Sequence, residues 1–176
     1  MKSHQGEGGV LLLFPLFITE RIIMIETLKF NKRLSDLVDF ISNKNNLYIT
    51  IDNKRKSIKT LKDLKALYRQ SAFAIRKSVN TITHGLLFVW KSNSDSKRHY
   101  IKIEYNTLQD VEDLLTVFNW AFVKETFIKL PENSELINSF RKKGFKFYSG
   151  RGTEILLRRD KNDRKFVPPF KGDEDE

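Results

Sequence analysis

Asn133-Ser134-Glu135-Leu136-Ile137-Asn138-Ser139-Phe140-Arg141-Lys142-Lys143-Gly144-Phe145 is the stretch on which the fold turns. Asn133 is of the type that caps a helix start, its side-chain oxygen accepting an orphan backbone N–H of the first turn. Leu136, Ile137 and Phe140 then recur at the spacing of one helical face. Gly144 suits the left-handed conformation that closes a helix, and Phe145 to Tyr148 reads as a strand. Upstream, Thr126 to Leu130 is a strand stopped by Pro131. Downstream, the Gly150-Arg151-Gly152 turn leads into a last strand, Thr153 to Arg159.

Working back from that stretch, the longest helix is expected from Leu108 to Phe122. Leu108, Val111, Leu115, Phe118 and Phe122 share one face there, behind the capping pair Thr107-x-x-Asp110. Three strands precede it: Ala72 to Lys77, Gly85 to Lys91 and His99 to Tyr105, with the polar turn Ser92 to Ser96 joining the last two. A second capping pair, Thr60-x-x-Asp63, opens a helix that turns Leu61, Leu64, Leu67 and Tyr68 inward. Leu47 to Ile51 is a β-branched and aromatic strand ending at the turn residues Asp52-Asn53. Arg33 to Asn43 carries Leu34, Leu37, Val38 and Ile41 on one helical face, and Ile25 to Phe30 is a short strand. The order is strand, helix, strand, helix, three strands, helix, strand, helix, two strands: a mixed α/β arrangement without repeats.

The chain has 176 residues, 32 Lys+Arg against 22 Asp+Glu, and a formal charge of +10. That length allows one domain with tails. No cysteine is present, which excludes disulfide frameworks, thiolate metal sites and thiol nucleophiles. The basic excess favours an anionic partner, and it is concentrated. Asn53 to Lys77 holds nine Lys/Arg and one acid; Arg141 to Phe166 holds ten Lys/Arg and three acids. The remainder is net acidic and ends in Gly172-Asp173-Glu174-Asp175-Glu176, a solvated tail by composition. Val10 to Ile18 is apolar but too short for a bilayer, which needs about 20 residues. Its flanks do not make a signal peptide, since Thr19-Glu20-Arg21 offers no small-residue cleavage site. The expected organisation is an apolar N-terminal arm (1–23), one domain (24–160) and a charged C-terminal tail (161–176), in the cytoplasm.

The element order, together with Asn133, Gly144 and Phe145 in register, resembles the GCN5-related N-acetyltransferase (GNAT) superfamily. Motif-level similarity covers the stretch from Thr126 onward; the arrangement covers Ile25 to Arg159. The resemblance implies an α+β fold with a mixed, mostly antiparallel sheet flanked by helices, and acetyl-CoA or another acyl-CoA as cofactor. It also implies that the coenzyme pyrophosphate lies on backbone N–H groups between the fourth strand of the domain and the long helix. In this chain that places the donor on Asn106, Thr107, Leu108 and Gln109, with Asn133 nearby. Two features depart from the family. The family loop is glycine-rich, whereas no glycine lies between Gly85 and Gly144, and Asp110, Glu112 and Asp113 crowd the helix start. Those acids suit the helix dipole but repel a pyrophosphate. The tyrosine that often protonates the leaving thiolate is Phe140 here, which has no proton to give.

The resemblance makes Glu104 the candidate general base and Tyr148, or Tyr105, the candidate substitute acid. Alternation with Ile101 and Ile103 turns Glu104 and Lys102 away from the core, so Glu104 is expected in solvent. His84 and His99, at the starts of two neighbouring strands, form a possible hairpin pair, and no residues have metal-site spacing. The basic groups supply a second set of candidates. Lys54, Arg55, Lys56 and Lys59 lie in one stretch, and Arg141, Lys142, Lys143, Arg158 and Arg159 in the other. Such clusters neutralise nucleic-acid phosphates or an acidic protein surface without base-specific geometry. The leading expectation is a non-catalytic GNAT-like domain that binds nucleic acid or a protein assembly through these basic surfaces. The alternatives are an acyl-CoA-dependent N-acyltransferase with an atypical donor loop, and a structural subunit docked through Val10 to Ile18.

Overall fold

The computed structural model describes residues 16–18, 21–30, 34–92, 98–161 and 163. Its elements are β1 (Leu16–Ile18), β2 (Arg21–Thr27), α1 (Leu34–Ser42), β3 (Tyr48–Ile51), β4 (Lys54–Ser57), α2 (Leu61–Arg69), β5 (Ser71–Val79), β6 (Ile82–Lys91), β7 (His99–Tyr105), α3 (Leu108–Ala121), β8 (Thr126–Pro131), α4 (Leu136–Lys142), β9 (Lys146–Arg151) and β10 (Glu154–Arg159). Eight strands form one sheet in the order β1-β2-β5-β6-β7-β8-β10-β9, and β3-β4 is a separate hairpin. Every pairing is antiparallel except β7 with β8. A parallel neighbour requires a crossover, and α3 is that crossover.

Alternation along β6 sorts the interior into two cores. Leu87 and Val89 face one side and pack with Val111, Leu115 and Phe118 of α3 and Phe140 of α4. Leu86 and Phe88 face the other side and pack with Leu37 and Ile41 of α1, Leu64 and Leu67 of α2, and Ile49 of the hairpin. Each fully buried Leu or Phe contributes about 1.5–3 kcal/mol, so the sheet is held by both faces. Arg76 adds a polar pin, donating to Glu26, Asp36 and the Thr83 hydroxyl and so tying α1 to the sheet.

Local signals act as the residue types dictate. Thr60 and Thr107 cap α2 and α3, and α3 has the full reciprocal box with Asp110. Asp52 and Asn53 take φ of 49° and 62°, the left-handed pair that a two-residue hairpin turn needs. Gly144 closes α4 with φ 99°. The cap of α4 differs from expectation: the helix starts at Leu136 behind Glu135, and Ser134 Oγ rather than Asn133 accepts the Leu136 N–H. Glu132 N donates to Thr153 O, fastening the segment before α4 to the β9–β10 turn. Strand β4 was not expected, because Lys54-Arg55-Lys56-Ser57 has no apolar residue to show alternation. Strand β2 begins at Arg21 and takes β1 as an edge neighbour, so paired sheet reaches into the stretch assigned to the N-terminal arm. The rest of that arm, most of the C-terminal tail (with Arg164 and Lys165) and turn residues 93–97 lie outside the described residues.

Candidate functional site

Strands β7 and β8 run side by side but pair at a single register point, Tyr100 with Phe127. From there they diverge, leaving a wedge-shaped cavity of about 520 Å³ between Ile101, Ile103 and Tyr105 on one arm and Ile128, Leu130 and Pro131 on the other. Pro131 closes its strand because it brings no N–H for further pairing. At the wide end the Tyr105 hydroxyl donates to Glu135 Oε1 at 2.8 Å, joining β7 to the start of α4. Burial, the bond to Glu135 and its charge raise the Tyr105 phenol above its ordinary pKa, so it stays protonated.

The front mouth of the wedge, on the side of the hairpin, is built from cations and rings. Lys102 Nζ donates to Tyr48 O at 2.6 Å and lies 4.3 Å and 4.9 Å from the centroids of Tyr48 and Trp90. Desolvation, with the nearby Arg55 charge second, brings the Lys102 ammonium down to a pKa of about 8. Arg55 lies 4.2 Å from the Tyr48 centroid and donates to the Tyr48 hydroxyl at 3.3 Å. Lys129, on β8, lies 5.4 Å from Tyr100. Farther along the same face, Arg98 lies 4.7 Å from Phe127 and 5.5 Å from Tyr148. The contacts sit at distances where a cation is attracted by a ring face.

Solved structures share the fold. The acetyltransferase of the GNAT family from Streptococcus pneumoniae aligns over 78% of this chain and 98% of its own, with a TM-score of 0.55 at 11% identity. The GNAT domain of S. lividans PAT aligns over 79% and 90%, with a TM-score of 0.57 at 9% identity. The fold is GNAT-like. Mycobacterium smegmatis RimJ in complex with CoA-disulfide aligns over 83% and 85%, with a TM-score of 0.54 at 10% identity. No family model matches the chain, and no curated protein sequence matches it.

The GNAT-like frame allows the expected donor site to be tested on its own atoms. Between β7 and α3, Asn106 N donates to His84 O at 3.0 Å and Thr107 N donates to Asp110 Oδ2 at 2.8 Å. Two of the amides assigned to the pyrophosphate are therefore bonded within the chain. Asp110 is 2% exposed and its other oxygen accepts Lys77 Nζ at 2.7 Å; the same ammonium reaches Asp113 Oδ2 at 2.7 Å. Lys77 is thus neutralised by two carboxylates, and an incoming pyrophosphate would face both. Leu108 and Gln109 are exposed at the first turn of α3, and Asn133 is exposed before α4. The residues present do not fit a pyrophosphate held in the GNAT manner.

The expected catalytic pair is not brought together. Glu104 is 1% exposed rather than solvated: Oε2 accepts Asn46 N, and Oε1 accepts Asn46 Nδ2 and Tyr105 N, all at 3.0–3.1 Å. The loop from α1 to β3 covers it. Tyr148 stands on the edge strand β9 against Phe127, away from the wedge. Phe140 is fully buried and packs edge-on against Phe145. His84 and His99 lie at opposite ends of the β6–β7 ladder, since Gly85 pairs with Tyr105 and Lys91 with His99; they are no hairpin pair.

The basic candidates divide between the two faces. Lys54, Arg55 and Lys56 are on the hairpin, with Lys56 also paired to Asp63. Lys59 donates to Ser42 O, Lys44 O and Asn45 Oδ1, holding the end of α1. Arg141 and Lys142 are on α4 and Lys143 just past its end, across the sheet, where Lys142 meets Glu112 and Lys143 donates to Thr116. Arg158 is bound to Glu125 and Asp160. Arg159 is no surface cation at all: it is fully buried, donating to Asn119 Oδ1 and to the carbonyls of Phe122 and Lys124, with Phe118 beneath it. Alternation with Leu157 turns it into the α3 core, where it closes the C-terminal end of that helix. Sequence reasoning missed Lys102, Tyr48, Trp90 and Lys129. Four residues from four strands meet only once the sheet order is known.

Proposed function

We propose that this chain is a GNAT-fold binding domain that works by holding a polyanion, nucleic acid in the first instance, at the front of its β7–β8 wedge. The observation that carries this reading is the contrast in charge between two places on the sheet. The place where the fold would hold a pyrophosphate is occupied by Asp110 and Asp113 around Lys77. The front mouth instead presents Arg55, Lys102 and Lys129 beside Tyr48, Trp90 and Tyr100. An anion is repelled at the first place and attracted at the second.

A second reading, an acyl-CoA-dependent N-acyltransferase with altered donor contacts, draws on the open wedge itself and on RimJ, a structural neighbour in complex with CoA-disulfide. A thermal-shift titration separates the two. Purified protein is titrated with acetyl-CoA, free CoA and short nucleic acids; a ligand binding only the folded state stabilises it by about 2.7 kcal/mol at a hundredfold excess over its Kd. The expected result is a salt-sensitive shift with nucleic acid and none with either CoA form. A saturating shift with acetyl-CoA and none with nucleic acid overturns the proposal in favour of the acyltransferase.

A further inference from the structure

The pleat of β7, β8, β10 and β9 places one set of side chains on the front of the sheet. Tyr100 and Lys102 alternate with the core residues Ile101 and Ile103, and Phe127 and Lys129 with Ile128 and Leu130. Beyond them, Arg98 and Arg158 lie 5.5 Å and 5.6 Å from the ring of Tyr148. The result is a band crossing the strands in which cations and rings take turns, from the hairpin through the wedge to the sheet edge. The helices of this face, α1 and α2, pack on β5 and β6 through Ala74, Leu86 and Phe88. Over β8 and β9 the band is open: Lys129 is exposed, and Tyr148 is 45% exposed.

We infer that single-stranded nucleic acid lies along this band, its phosphates on Arg55, Lys102 and Lys129 and its bases against the rings of Trp90 and Tyr148. The inference rests on the polyanion reading above and names the polyanion. Three features favour a single strand over a duplex. Rings reward only bases whose faces are open, and a duplex keeps its base faces stacked inside. Lys102 is recessed between Tyr48 and Trp90, where a thin chain reaches and the convex backbone of a duplex does not. Guanidinium groups set beside rings, as Arg55 is at 4.2 Å and Arg98 at 4.7 Å, offer further planes for unstacked bases. Among the described residues, acidic groups along the band are few: Glu154 lines the wedge, and Glu125 and Asp160 are bound to Arg158. At neutral pH the Lys102 ammonium is charged, as its lowered pKa still lies above 7.

Fluorescence anisotropy with the full chain tests this. The probes are a labelled oligothymidylate of about twelve nucleotides, a duplex of equal length, and heparin as a polyanion without bases. Oligothymidylate is expected to bind more tightly than the duplex. Arg55→Ala combined with Lys129→Ala should weaken it by about tenfold or more. Tyr148→Leu keeps an apolar cover over Phe127 and removes the ring; it should weaken oligothymidylate about fivefold or more and leave heparin unchanged. Unfolding midpoints of each variant establish that the fold is intact. Equal loss of heparin and oligothymidylate in Tyr148→Leu, or tighter binding of duplex, overturns the single-strand inference while leaving the polyanion reading in place. Absence of binding to all three probes overturns both.

Discussion

Lys102 and Glu104 project from the same face of β7, two residues apart, and meet opposite surroundings. Glu104 is covered by Asn46 and satisfied by three N–H groups; Lys102 has one carbonyl, two rings and a second cation beside it. Period-two alternation was enough to put both residues on the face opposite Ile101 and Ile103. It carried no information about what covers that face, so the burial of Glu104 was not legible. The cost of holding Lys102 has a measurable sign. Its pKa in the fold, about 8, lies below the ordinary 10.5. Between those values the unfolded chain binds more protons than the folded one, so stability contributed by this group rises with pH across that window and is flat below it. The charged and titratable groups facing it are Arg55 from β4, which stays charged, and Tyr48 from β3. Lys102→Met removes the titration. Urea unfolding at pH 7 and pH 10 should therefore show the stability difference, wild type relative to variant, shifting in favour of wild type at the higher pH. A difference independent of pH would mean that Lys102 titrates as an ordinary exposed lysine.

Among the elements, α3 decides both the architecture and the fate of the donor site. Its residues were legible because apolar spacing and a capping pair point to the same helix, and the helix observed is Leu108–Ala121. The capping box that announces the helix takes up the Thr107 and Asp110 amides, so a single local device both starts α3 and uses two of the donors an anion would need there. The unexpected strand β4 shows the converse: a charged hairpin strand has no periodic signature of its own. Close packing of α3 on β6 rests on Gly85. A Cβ built there would lie 2.7 Å from Leu114 Cδ1, and Leu114 is fully buried. Gly85→Ala should destabilise the fold by about 1–3 kcal/mol, the usual cost of overpacking. Leu114→Ala alone leaves a cavity and costs about 2–5 kcal/mol. Because the added methyl occupies space that Leu114 vacates, the double variant should be more stable than the sum of the two single changes. Strict additivity in denaturant unfolding would show that α3 moves away instead of colliding.

At the scale of the whole molecule, a two-sided sheet separates charges that the sequence shows only as two runs. Net charge and clustering were legible; which cations share a face was not, because that depends on strand order and on the direction each helix takes. Arg141 and Lys142 sit on α4, packed with α3 behind the sheet, whereas Arg55, Lys102 and Lys129 converge in front. A polyanion on the front band touches the second set and feels the first only through the general field, which is screened within about 10 Å at 0.1 M salt. The salt dependence of binding discriminates between these roles. Each phosphate neutralised by a front cation adds about 0.7 to the slope of log affinity against log salt for a single strand. Arg55→Ala and Lys129→Ala should each lower that slope by about this amount. Arg141→Ala together with Lys142→Ala should leave both the slope and the affinity nearly unchanged at about 0.1 M salt and above. Were the α4 pair to flatten the slope as much as the front pair, the binding surface would lie behind the sheet, and the cations at the front mouth of the wedge would have no part in it.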